Sequence, residues 1–183
     1  MKKIVHIYLV IIIGFASACQ VETVGTPLLP FFDITDFLEK EITQLAHLKS
    51  IKKIVYINEK TEQQILDSFD IKKDLEVFKN SNINKTVWLD KYKVDSIFDK
   101  SGALAELQYH ALDEKLKTRE MIVNFNKKDV ASIFIKNKSA NQVSSLEQNL
   151  EYFSKKGYSV ESHQKVTLGK KQFTNVEVTY LGL

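Results

Sequence analysis

Histidine and carboxylate side chains are the groups of this 183-residue chain best suited to acid and base chemistry. His47, His110 and His163 lie far apart in the sequence and form no metal-binding spacing. No segment matches a nucleophile motif or a phosphate-binding loop. The sequence therefore predicts no catalytic residue, no metal site and no cofactor. A hydrolase that uses paired carboxylates, with His110 beside them, stays open as an alternative, because such pairs converge only in the fold.

Cys19 is the one cysteine of the chain, and it follows a segment typical of secretion. Two lysines near the start precede an apolar run from Ile7 to Ala18, which ends in the small residues Ala16-Ser17-Ala18. A positive start, an apolar stretch of about 7 to 15 residues and small residues at the cleavage point define a signal peptide. Residues 1–18 are therefore predicted to be a signal peptide. The body is expected to fold without disulfides, since it has no second cysteine.

The residues before Cys19 resemble the lipobox of bacterial lipoproteins, in which a lipidated cysteine follows small residues. Ala16 stands where that motif usually has leucine. Together with stretches such as Lys156-Gly157-Tyr158-Ser159-Val160, the chain looks like the small lipoproteins of Bacteroidetes-type bacteria. The resemblance implies lipidation of Cys19, an outer-membrane location and no known activity. In such bacteria, a cluster of acidic residues just after the cysteine often directs a lipoprotein to the cell surface. Here only Glu22 is acidic in that segment, so we expect attachment at the periplasmic face of the outer membrane.

The charge balance bears on the partners of the chain. The full sequence has 26 basic and 23 acidic residues, and removal of residues 1–18 takes away Lys2 and Lys3, which leaves 24 against 23. A nearly neutral body gives no electrostatic reason to expect nucleic acid. The predicted partners are the membrane, through the lipid, and an apolar ligand or an envelope protein.

The mature chain is predicted to contain a tether and one domain. Residues 19–30 carry the lipidated cysteine and both prolines of the chain, which is typical of a linker. Residues 31–183 have the length of a single α+β domain. Its first element is an amphipathic helix from Asp33 to about Leu48, with apolar residues at helical spacing, and a second short helix is expected between Asp70 and Asn80.

The remainder predicts an antiparallel β-meander, because apolar and polar residues alternate over several stretches. From Ala105 to Ala111 the odd positions are apolar and the even positions are polar. Residues 143–156 fit two structures. A capping box of Ser144 and Glu147 favours a helix, whereas the meander on both sides favours a strand, which is the interpretation we adopt. The expected architecture is a curved, half-barrel-like sheet packed against the first helix.

This architecture favours a non-enzymatic binding or assembly module over an enzyme. Four aromatic side chains in the predicted strands are candidates to line an apolar ligand groove: Tyr109, Phe125, Tyr158 and Tyr180. The alternatives are the carboxylate hydrolase and an accessory subunit that docks on an outer-membrane complex. The sequence names neither a ligand nor a partner.

Overall fold

A computed structural model describes residues 31–182. The predicted signal peptide, the predicted lipidation site Cys19 and the predicted tether of residues 19–30 lie outside the described residues. The strands are β1 Ser50–Ile57, β2 Lys60–Leu66, β3 Tyr92–Phe98, β4 Leu104–Ala111, β5 Thr118–Asn126, β6 Asp129–Ala140, β7 Ser144–Phe153, β8 Gly157–Val166 and β9 Gln172–Leu181. All nine form one antiparallel sheet in the order β2-β1-β9-β8-β7-β6-β5-β4-β3.

The first helix, α1, spans Ile34–Gln44 and continues into a 3-10 turn at Leu45–His47. Asp33 caps it, because its Oδ1 accepts hydrogen bonds from the amides of Thr35 and Asp36 at 2.9 and 3.1 Å. The predicted second helix is present as two single turns on either side of Leu75, α2 Ile71–Asp74 and α3 Glu76–Lys79. Within residues 31–182, no helix has the length and apolar character needed to cross a bilayer.

The chain path explains the strand order. β1 and β2 form a hairpin whose turn residue, Asn58, has a φ of 52°. β3 to β9 follow one another as a meander, and β9 then pairs with β1. β2 and β3 are therefore the two edges, so the sheet stays open and does not close into a barrel. The predicted α+β class with an antiparallel sheet is confirmed.

The core lies on one face of the sheet, beneath the helices. Ile34 and Leu38 of α1 have no exposed surface and pack with Met121, Ile133 and other alternate strand residues. Residues 144–153 form β7, so the strand interpretation of this ambiguous segment is correct. Leu150 and Tyr152 are fully buried here, whereas the residues between and around them face the opposite side.

Candidate functional site

The four aromatic residues proposed to line a groove lie on the face that the helices cover. Tyr109, Tyr158 and Tyr180 are buried, and Phe125 packs against the same core cluster. The hydroxyl of Tyr109 accepts a hydrogen bond from the Phe32 amide at 3.0 Å. The four side chains therefore take part in the contact between sheet and helices.

Two carboxylates enter this covered side and bind tyrosine hydroxyls. Glu41 of α1 is only 4 % exposed, and its Oε2 accepts hydrogen bonds from Tyr152 Oη at 3.0 Å and Ser154 Oγ at 2.8 Å. Asp74 of α2 accepts one from Tyr158 Oη at 2.8 Å. These contacts fix both helical segments on the sheet, because each joins elements that are far apart in the sequence.

The buried tyrosines hold their protons tightly. Burial is the main cause that raises the pKa of Tyr152, and its neighbours Tyr180 and Glu41 raise it further. Burial, followed by Asp74, likewise raises the pKa of Tyr158. Since a negative charge on these hydroxyls would be both desolvated and close to a carboxylate, the hydroxyls act as hydrogen-bond donors.

Within residues 31–182, no helix lies on the other side of the sheet, and we call this side the open face. It is the face on which the cross-strand row of Lys93, His110, Glu120, Lys136, Asn149, Glu161, Asn175 and Tyr56 lies. Polar residues predominate along it because alternate positions of each strand point away from the core. The predicted polar positions of β4, Glu106, Gln108 and His110, belong to this face.

A depression of about 560 Å³ lies in the open face above β6 to β9. We call it the acidic depression, because Glu151, Glu161 and Glu177 line it together with Lys156 and two phenylalanines, Phe134 and Phe153. Glu151 and Glu177 flank Ser159 on the two neighbouring strands. Their backbones are thus about 10 Å apart, the width of two strand spacings.

Amide side chains orient two of the carboxylates of this depression, Glu161 and Glu177. Asn149 Nδ2 donates to Glu161 Oε1 at 3.0 Å, and Asn175 Nδ2 donates to Glu177 Oε1 at 3.0 Å. The Oδ1 atom of Asn175 is buried and has no hydrogen-bond partner among the described residues. Two of the three carboxylates are thereby oriented by amide donors, and a ligand with N–H or O–H donors would find acceptor oxygens there.

The histidines lie in separate places. His110 borders a second depression of about 560 Å³, where its Nδ1 is 3.4 Å from Glu120 Oε1 and where Arg119, Lys136 and Lys138 are also present. His163 Nε2 lies 3.1 Å from Glu161 Oε1. His47 ends the 3-10 turn after α1 and is exposed. Within residues 31–182, no group of three or more histidine, cysteine or acidic side chains is placed to hold a metal ion.

The acidic depression was missed in the sequence because its residues come from different strands. The signal that pointed toward it was the polar alternation Ser145, Glu147, Asn149 and Glu151, which shows one wet face but not which strands lie beside it. No protein-family model matches this chain, and comparison with curated proteins and with solved structures likewise gives no match.

Proposed function

We propose that this chain is a lipoprotein of the bacterial envelope and that its folded part is a non-enzymatic binding module. The lipidated Cys19 anchors it to the periplasmic face of the outer membrane through the tether of residues 19–30. The signal-like residues 1–18 and the position of the single cysteine support this anchoring. Palmitate labelling tests it: replacement of Cys19 by serine is expected to abolish incorporation, and unchanged labelling would refute it.

The observation that carries the binding role is the acidic depression on the open face, which no helix of residues 31–182 covers. Helices cover one side of the sheet, and the aromatic residues of that side fill the core. The open face instead offers a concave surface with three carboxylates and one lysine among its lining residues. We therefore propose that the ligand is bound there and that it is polar, with amino groups that meet the carboxylates.

The phenylalanines refine this proposal. Phe134 and Phe153 border the same depression, and Phe153 is 43 % exposed. An exposed ring beside carboxylates suits a ligand that combines a cationic group with an apolar chain or ring. A lysine-rich peptide segment and a polyamine both present such amino groups on alkyl chains.

Calorimetric titration of the full chain in detergent tests the proposal, with spermidine and a tetralysine peptide as probes. Binding is expected for the wild type and is expected to weaken at least tenfold in the Glu151→Gln/Glu177→Gln variant. The Glu59→Gln/Glu62→Gln variant, at exposed positions of the turn before β2 and of β2 itself, also removes two negative charges and serves as the matched control. No binding of either probe, or equal loss in the control, would refute the acidic depression as the site.

A hydrolase is a second candidate, favoured by the contact between His110 and Glu120 in a depression that also holds Glu114 and Glu147. A histidine within reach of a carboxylate can act as a general base. Hydrolysis of chromogenic esters and glycosides that disappears in His110→Ala would support this candidate. An equally low rate of hydrolysis by the wild type and by His110→Ala would refute the hydrolase and leave the binding module as the proposed function.

A further inference from the structure

The edge strand β3 presents main-chain groups that no other described residue pairs with. The Lys91 carbonyl accepts a hydrogen bond from the Leu112 amide at 2.8 Å, so the main-chain groups of Lys91 point toward the β4 side. The direction of N–H and C=O alternates along an antiparallel strand. The N–H and C=O groups of Lys93 and Asp95 therefore also point toward β4. Those of Tyr92, Val94 and Ser96 point away from the sheet.

Apolar surface is concentrated at the same edge. Half of the exposed large apolar side chains of residues 31–182 lie on β3, just before it, or beside Lys91: Val87, Leu89, Val94, Ile97, Phe98 and Leu112. Phe98 is 61 % exposed. The opposite edge differs, because five of the seven residues of β2 are polar or charged. Each edge strand carries two charged residues, but β3 also exposes Val94, Ile97 and Phe98, so β3 is the edge with more apolar surface for a partner to cover.

A second copy of this chain complements β3 in one register. If two β3 strands pair antiparallel about a twofold axis, with Val94 opposite Val94, then Tyr92 lies opposite Ser96 of the other copy. The outward N–H and C=O groups of one β3 strand thus lie opposite the outward N–H and C=O groups of the other. In the same register Lys93 lies opposite Asp95 of the other copy, and Asp95 lies opposite Lys93, so two opposite-charge pairs form.

Neighbouring registers lack this complementarity. A shift by two residues in one direction places Asp95 opposite Asp95, and the same shift in the other direction places Lys93 opposite Lys93. Like charges directly opposite each other destabilise a strand pair. Lys93 and Asp95 are 2.8 Å apart within one chain and remain partly exposed, so both side chains can turn to the partner.

We infer that this chain forms a twofold homodimer by antiparallel pairing of β3 with β3 of a second copy. The pairing adds about six main-chain hydrogen bonds and makes one continuous sheet of the two copies. It places Val94 at the centre, where the two side chains contact each other. The two open faces then lie on the same side, because a twofold axis perpendicular to the sheet keeps each face on its side.

A charge-exchange cycle on the full chain in detergent tests the inference, with the dimer dissociation constant measured by analytical ultracentrifugation. Lys93→Asp places Asp opposite Asp95 twice in each dimer, and Asp95→Lys places Lys opposite Lys93 twice. Each variant is expected to raise the dissociation constant about tenfold or more. The double variant Lys93→Asp/Asp95→Lys is expected to restore it, since opposite charges again face each other. Thermal melts show whether each variant is folded.

Lys60→Asp on β2 is the matched control, because it makes the same change at the other edge. A cysteine at the centre supplies a second readout: Val94→Cys is expected to form an intermolecular disulfide on mild oxidation, since α-carbons of hydrogen-bonded pairs lie about 5.5 Å apart. The wild type, with Cys19 alone, is oxidised in parallel. A monomer at every concentration would overturn the inference. So would weakening by Lys60→Asp alone, or a dimer that the β3 variants leave unchanged.

Discussion

At the scale of single residues, Glu41 is the most consequential side chain of the covered face. It is a buried carboxylate that accepts hydrogen bonds from Tyr152, Ser154 and the Lys155 amide. Glu41→Ala leaves the Tyr152 hydroxyl buried without its acceptor. We expect this variant to lower the free energy of unfolding by about 3 kcal/mol, measured by urea denaturation.

Two companion variants make that measurement specific. Glu41→Gln keeps an oxygen that can accept from Tyr152, so its loss is expected to be smaller than that of Glu41→Ala. Lys40→Ala, on the exposed side of the same helix, is expected to change stability by no more than about 0.5 kcal/mol. If Glu41→Ala unfolds at the same urea concentration as the wild type, the hydrogen-bond network does not hold α1 on the sheet.

The sequence contains a signal for this residue, although its partners cannot be read from it. Glu41 stands three residues after Leu38 and four before Leu45, which places it on the apolar stripe of α1. A charged residue on such a stripe indicates a buried partner. Tyr152 lies 111 positions away, and only the fold brings the two together.

At the scale of elements, the hairpin between β7 and β8 depends on Gly157. Its φ is +144°, a conformation that side chains rarely adopt, and a Cβ there would overlap the carbonyl oxygen of Val178 on β9. Because the overlap is with backbone, β9 would have to move away from β8. We expect Gly157→Ala to cost about 3 kcal/mol or more of unfolding free energy, measured by thermal and urea denaturation.

Gly102, in the turn between β3 and β4, is the matched control. Its φ is +81°, but a Cβ would meet no atom of residues 31–182 within 4 Å. Gly102→Ala therefore tests the backbone strain alone, and we expect a cost of about 1 kcal/mol. Equal losses in the two variants would show that the conformation of Gly157, and not its closeness to β9, is what matters.

Strands in which polar and apolar residues alternate regularly were predictable from the sequence. The segment that contains β7 shows why a local pattern does not always suffice, because it also fits a helix. In β7 the buried residues Leu150 and Tyr152 suit a strand, yet Leu146, Leu150 and Phe153 also suit one side of a helix. Cross-strand pairing decides between the two. Glu147, a residue of the apparent capping box, instead pairs with Lys138 of β6 at 2.7 Å. Such contacts between strands do not appear in a local pattern.

At the scale of the whole molecule, the sequence predicts which residues turn away from the core but not which of them become neighbours. Glu151, Glu161 and Glu177 come from three different strands, and the strand order alone places them around Ser159. The pairing of β9 with β1 is equally nonlocal, since it joins the last strand of the described residues to the first. The class of the fold was therefore predictable, whereas the acidic depression was not.

The buried tyrosines predict how the stability of the whole domain depends on alkaline pH. Burial raises the pKa of Tyr92 to about 12, and it also raises the pKa of four further tyrosines, Tyr109, Tyr152, Tyr158 and Tyr180. A tyrosine in the unfolded chain titrates near pH 10. Between these values the native state holds protons that the unfolded state has lost, so the unfolding free energy falls as the pH rises.

We expect full stability below about pH 9 and a progressive loss from about pH 10 to 12, by up to about 1.4 kcal/mol per pH unit for each tyrosine that stays protonated. Lys117 acts in the opposite direction, because burial lowers its pKa, but it is one group against five. Urea denaturation from pH 8 to 11.5 measures the slope, and phenolate absorbance near 295 nm shows when tyrosines ionise. Tyr158→Phe is expected to reduce the dependence of the unfolding free energy on pH by up to about 1.4 kcal/mol per pH unit, the equivalent of one proton, since one buried hydroxyl fewer resists ionisation. Phenolate absorbance near pH 10 equivalent to more than two of the seven tyrosines of the chain, while the domain is still folded, would contradict the packing of these five side chains under the helices.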